Sequence, residues 1–134
     1  MVSDRGLEHH VEVDSAGTAA WHVGKSPDPR SVSAAAERGY DLSSLRARQA
    51  VERDFLEYDY VLAMDCENLS NLKSIRRTGV EPELFLEKFG RAYSEREVPD
   101  PYYGGTSGFE HVLDLIEDAS AALLDEIERK IAGR

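Results

Sequence analysis

Phe109, Leu113, Ile116, Ser120, Leu123, Ile127 and Ile131, all but Ser120 apolar, recur at spacings of three and four, a pattern that predicts one long amphipathic helix in the last quarter of the chain. A different pattern governs "YDYVLAMD", where Val61, Leu62, Ala63 and Met64 are apolar without a break. Such a run predicts a strand covered on both faces, as in a parallel sheet. Asp65 follows as the predicted N-cap of a helix with Leu69, Leu72 and Ile75 on one side.

Three further elements complete the reading. Residues 10–14 favour a short strand that ends in the small-residue turn "SAGT". "SPDPRSVSAAAERG" predicts a loop entering a helix, with Asp28 as cap, Pro27 and Pro29 stiffening the entry and Gly39 as the stop. Residues 40–49 predict a connection containing a short helical turn. "PELFLEKF" fits either a strand or a helical turn, and strand is preferred because Phe85 and Leu86 lie between turn signals. The order strand, helix, strand, helix, strand, loop, helix predicts an α/β fold, a three-layer sandwich with a small, mostly parallel sheet flanked by helices. Three strands are few for a covered sheet, and "SDRGLEHH" reads as the tail of a helix ending near Gly6. The N-terminus is therefore expected to be truncated.

With 134 residues, the chain is expected to form a single domain over 1–134. A formal net charge of -10 argues against a nucleic-acid partner, and the one cluster of basic residues, Arg46, Arg48 and Arg53, is small. The single cysteine, Cys66, excludes an internal disulfide and an all-cysteine metal site. No apolar run approaches membrane length, and the opening is polar and mixed in charge, so the expected location is the cytoplasm, with no membrane contact.

The most suggestive chemistry lies in "EVPDPYYGG", residues 97–105. Pro99 and Pro101 stiffen the backbone on both sides of Asp100, presenting its carboxyl as a general acid requires; an ordinary aspartate in a proline turn has the same surroundings. Tyr102 and Tyr103 can line a pocket for a planar group or pack on the terminal helix. Trp21 stands in a loop, as a pocket wall or packed on a neighbour. Ser15 is not framed as a nucleophile elbow, which leaves it a supporting hydrogen-bonding role. Asp65 fits a plain N-cap or a carboxylate beneath a site, and Arg48 a ligand contact or a surface pair. Cys66, at a predicted helix start, lacks a glycine-rich or arginine cradle and is expected to be a buried or half-buried free thiol. His9 and His10 are expected in solvent, and His22 and His111 without an obvious partner.

"VDSAGTAAWHVG", "PDPR", "RARQ", "FLEYDYVLAMD", "NL", "VPDPYYGG" and "GFEHVLDLIEDA" occur in the order and approximate spacing of the low-molecular-weight protein tyrosine phosphatases, and the chain resembles that family over nearly its whole length. The resemblance implies a small parallel sheet between helices and hydrolysis of phosphomonoesters, chiefly phosphotyrosine, through a cysteinyl-phosphate intermediate with no cofactor. It implies that Asp100 is the general acid and base, that Trp21, Tyr102 and Tyr103 wall the pocket, and that Ser15 and Asp65 support the phosphate loop. Leu45 stands where some members carry a histidine. Partners implied are a phosphotyrosine protein or a small aryl phosphate; the oligomeric state is left open.

One departure matters most. The family's nucleophile lies in a V-C-x5-R-S loop ahead of all these motifs, and the chain is expected to start within the helix that follows it. Cys66 does not replace it, since the residue six positions on is Leu72. The 134 residues are accordingly expected to be inactive and poorly stable alone, and the complete gene product to be a tyrosine phosphatase. A catalytically dead binding or regulatory module and a related protein arginine phosphatase are the alternatives. An arsenate reductase is disfavoured, because such enzymes use further cysteines.

Overall fold

In the computed structural model, which describes residues 1–18, 24–99 and 105–133, helices predominate around a two-stranded parallel sheet. Helix α1 (Pro29–Glu37) begins as its sequence predicts: Asp28 Oδ1 accepts the Arg30 N–H at 2.8 Å, and Pro29 occupies a first-turn position where a missing N–H costs nothing. Gly39 ends it at φ +88°, its N–H donating to the Ala36 carbonyl. There follow α2 (Asp54–Glu57), β1 (Leu62–Ala63), α3 (Cys66–Ile75), β2 (Glu83–Leu84), α4 (Phe85–Phe89) and α5 (Gly105–Ala132).

Leu62 lies opposite Glu83 and Ala63 opposite Leu84, with α3 as the crossover between parallel strands. Successive strand residues point to opposite faces, and the apolar residues divide accordingly. Ala63 and Leu84 join Ala50, Phe55 and Leu72 in one core, with Leu69 and Ile75 of α3 packed against it. Leu62 meets the other core, made by Phe85, Leu86 and Phe89 of α4 with Leu115 and Ala119 of α5. Three layers result: α3, the sheet, then α4 with α5. Arginines fasten the periphery to α5, Arg38 pairing with Glu110, Asp114 and Glu117 and Arg5 with Asp125 and Glu128.

Four expectations need correction. Residues 10–14 form no strand; Val13 is 74% exposed, and only Gly17 pairs, in an isolated parallel bridge to Gln49. Apolar alternation supplies a face, but a strand needs a neighbour offering backbone groups along its length. The central strand likewise shrinks to two residues, and Met64 is exposed, so the apolar run is not covered throughout. Among the described residues β1 has a strand partner on one side only: Val61 accepts the Glu83 N–H at 3.1 Å, so the N–H and C=O of Leu62 point to the other edge.

"PELFLEKF" turns from strand to helix after Leu84. Phe85, Leu86 and Phe89 share a helical face that packs on α5, and this burial decides between two local conformations the sequence alone permits. Finally, residues 40–49 contain a turn, with Leu45 N–H donating to Leu42, but no helix; the helical turn comes later, at α2.

Candidate active-site region

The junction between β1 and α3 is tightly hydrogen-bonded. Asp65 caps α3, its Oδ1 accepting the Asn68 N–H at 2.7 Å, while Asn68 Oδ1 accepts the Met64 N–H at 3.2 Å. The segment leading to Asp100 attaches to the same place. Val98 N–H donates to the Met64 carbonyl at 2.8 Å, and Glu97 Oε1 accepts the Cys66 N–H at 2.6 Å. The cap reading of Asp65 is thus correct, and the capped helix start is where the acid-bearing segment docks.

Beside this junction lies a cleft of about 290 Å³. Phe55, Val61, Leu62 and Leu72 give it an apolar floor, and Asp14, Ser15, Arg48 and Tyr58 line it with polar groups. Arg48 Nε donates to Asp14 Oδ2 at 3.0 Å, and its two terminal nitrogens reach the Asp54 carboxylate at 3.0 and 3.2 Å. With both carboxylates on it, Arg48 is committed to holding the cleft together, which settles its two readings in favour of the pair. Ser15 is exposed at the rim, its N–H donating to Asp14 Oδ1 at 2.8 Å. Tyr58 OH donates to Asp14 Oδ2 at 3.4 Å; burial, followed by the charges of Asp14 and Glu12, pushes the Tyr58 pKa up.

Cys66 is exposed, contrary to the expected buried or half-buried thiol. Its pKa is raised, first by the hydrogen bond to the Glu97 carboxylate and then by desolvation. A raised pKa is the reverse of what a phosphate-attacking thiolate needs. Six positions on, Leu72 is buried in the core, so no guanidinium occupies the place of a phosphoryl clamp. The 134 residues contain no Cys-x5-Arg segment.

Trp21, Asp100, Tyr102 and Tyr103 lie outside the described residues, as does His22. His9 and His10 are exposed, as expected. His111, read as lacking a partner, has one: its Nε2 lies 2.6 Å from Glu95 Oε2, and Tyr93 meets its ring edge-on at 5.9 Å. No local pattern advertises this contact, because the partners approach only when the chain returns from α4 to α5. Glu97 was missed for the same reason, although it stands three residues before the aspartate the sequence singles out.

The family model for low molecular weight phosphotyrosine protein phosphatase matches residues 1–132. The chain belongs to the low molecular weight phosphotyrosine protein phosphatase family. Among relatives, slr0328 of Synechocystis is 43% identical over 99% of this chain and 85% of its own. The low molecular weight protein-tyrosine-phosphatase of Streptomyces coelicolor is 40% identical over 99% of this chain and 83% of its own. A protein tyrosine phosphatase crystal structure from Entamoeba histolytica, with Hepes in its active site, superposes with a TM-score of 0.88 at 34% identity, covering 96% of this chain and 83% of that one. The phosphatase fold is therefore present, with the capped α3 start and the cleft formed, while the 134 residues hold neither the nucleophile nor the phosphate-binding arginine of a Cys-x5-Arg loop. Among the described residues, no helix is long and apolar enough to cross a membrane.

Proposed function

We propose that these residues form the acid-loop and pocket side of a phosphotyrosine phosphatase site, and that by themselves they act as a phosphatase-like binding module without turnover. The carrying observation is Cys66. The only thiol in the sequence is exposed, bonded to a carboxylate and raised in pKa, with a buried leucine where the clamp would be. Covalent phosphoryl transfer needs a thiolate and donors that hold the developing charge, and removing even one such donor costs about 3 kcal/mol of transition-state stabilisation.

Joined to a strand and a Cys-x5-Arg loop, the same scaffold is assigned hydrolysis of phosphotyrosine proteins or small aryl phosphates. Asp100 then protonates the leaving phenolate and afterwards activates water against the cysteinyl phosphate. Trp21, Tyr102 and Tyr103 wall the aryl group, while Ser15 and Asp65 support the rim and the helix start.

The assay compares two proteins on p-nitrophenyl phosphate: the 134-residue chain, and a chimaera bearing the N-terminal strand and phosphate loop of the Streptomyces relative. The first is expected to be inert. The second should hydrolyse, and Asp100→Asn in it should lower kcat by about 10²- to 10⁴-fold. Hydrolysis by the 134-residue chain that depends on Cys66 would overturn the module reading, and an inert chimaera would count against the hydrolase reading.

A further inference from the structure

Three consecutive residues before Pro99 are each fastened to a different element. Arg96 Nη2 pairs with Glu87 of α4 at 2.9 Å. Glu97 Oε1 takes the Cys66 N–H at the first turn of α3 at 2.6 Å. Val98 donates its N–H to Met64 at the end of β1 at 2.8 Å, and its side chain packs on the second core. On the far side of the acid-bearing segment, α5 is held by Arg38 through Glu110 and by Glu95 through His111.

We propose that Glu97 is the positioning residue of the acid segment: by closing the N-terminus of α3 from outside that helix, its carboxylate fixes the point from which Pro99 and Asp100 depart.

The chemistry favours Glu97 over its neighbours. The first N–H groups of a helix have no partner within it and carry partial positive charge, so an anion is the strongest available acceptor. Asp65 caps only the Asn68 N–H, and Glu97 supplies the acceptor for Cys66. The Cys66 N–H holds the Glu97 carboxyl below the usual range, and the hydrogen bond to the Cys66 side chain adds to this. The Arg96 pair is exposed and on the solvent side, where an ion pair holds little. The Val98 N–H bond and side chain seat that residue between Met64 and the second core. The charged bond of Glu97 adds a second, independent attachment one residue earlier, and the fixed φ of Pro99 carries the chain on from it. Being a catalytic-acid positioner, Glu97 rests on the hydrolase reading, whereas its clamp on the segment does not.

Hydrogen exchange of the 134-residue chain, read at the amides of Cys66 and Val98, tests the clamp without any turnover. Glu97→Ala is expected to speed exchange there at least tenfold and Glu97→Gln, which keeps an oxygen acceptor without the charge, by an intermediate factor, with the amides of Leu115 and Ala119 unchanged. Equal exchange in all three chains overturns the proposal, as does faster exchange spread evenly over the core. In the chimaera, Glu97→Gln should lower kcat more for phenyl phosphate, whose leaving group needs protonation, than for p-nitrophenyl phosphate, with KM kept. An equal loss on both substrates overturns the positioning role; a parent chimaera inert on both removes the hydrolase reading and leaves exchange to decide the clamp.

Discussion

Arg48 grips Asp54 with both terminal nitrogens, Nη1 to Oδ2 at 3.0 Å and Nη2 to Oδ1 at 3.2 Å, and Asp54 is buried. The same carboxylate accepts the Val51 N–H at 2.9 Å, so one residue ties the start of α2 to the segment that bridges Gly17. Asp54→Ala leaves the Val51 N–H without its partner, and is expected to reduce unfolding free energy by about 1–3 kcal/mol in urea melts. Burial pushes the Asp54 carboxyl up, but the Arg48 guanidinium and the Val51 N–H outweigh it, and its pKa is lowered. Because the folded value lies below the unfolded one, near 3.9, the contribution is present above that value and lost as pH falls through the folded one. The gap in stability between parent and variant should therefore be full at pH 6 and shrink below about pH 4. A gap independent of pH would contradict the assignment.

Gly79 and Phe55 touch backbone to backbone. Gly79 has φ +96°, and a Cβ there would overlap the Phe55 carbonyl oxygen, which also accepts the Val80 N–H at 2.9 Å. Gly24 has a similar φ of +82° with open space around it. Gly24→Ala should cost about 1 kcal/mol for the left-handed backbone alone, and Gly79→Ala clearly more, since the backbone must also move. Equal costs in parallel denaturant titrations would show that the close approach does not exist in solution.

The Cys66 thiol should react slowly for so exposed a group. The hydrogen bond to Glu97 comes first among the causes that raise its pKa, so iodoacetamide alkylation is expected to rise with pH along a curve displaced above that of a free cysteine. Glu97→Gln should move the curve back down. A curve at or below the free-thiol value in the parent would refute the contact.

Among the described residues β1 pairs with β2 alone, and Leu62 of β1 lines a cleft together with Phe55, Val61 and Leu72. An open edge beside apolar surface invites association. The 134-residue chain should enhance the fluorescence of an anilinonaphthalene dye under native conditions, and its thermal unfolding should be irreversible, with oligomers by light scattering. A sharp reversible melt of a monomer with no dye binding would argue that the edge is closed in solution.

Local rules were enough wherever a residue's partner lies within a few positions. Asp28 and Asp65 cap the helices they precede, Gly39 stops α1, and the three-and-four spacing from Phe109 to Ile131 marks α5. The family motifs were equally legible, because each is a short contiguous string. The strand at 10–14, the length of β1 and the conformation of Phe85 and Leu86 were not, since each depends on what packs alongside. The Glu97 bond to Cys66 and the Glu95 contact with His111 of α5 went unread although these residues carry ordinary chemistry.

By itself, then, the sequence determined α1, α3 and α5, with the caps of the first two, the single cysteine and the membership of the phosphatase family, all properties of local backbone preference or of residue identity. Tertiary structure alone decided that Cys66 faces a carboxylate in solvent, that Arg48 is spent on Asp14 and Asp54, and that Glu97 closes a helix 31 residues away in the chain. Hydrogen bonds and ion pairs depend on distance between atoms, and for residues far apart in sequence that distance exists only once the layers have packed.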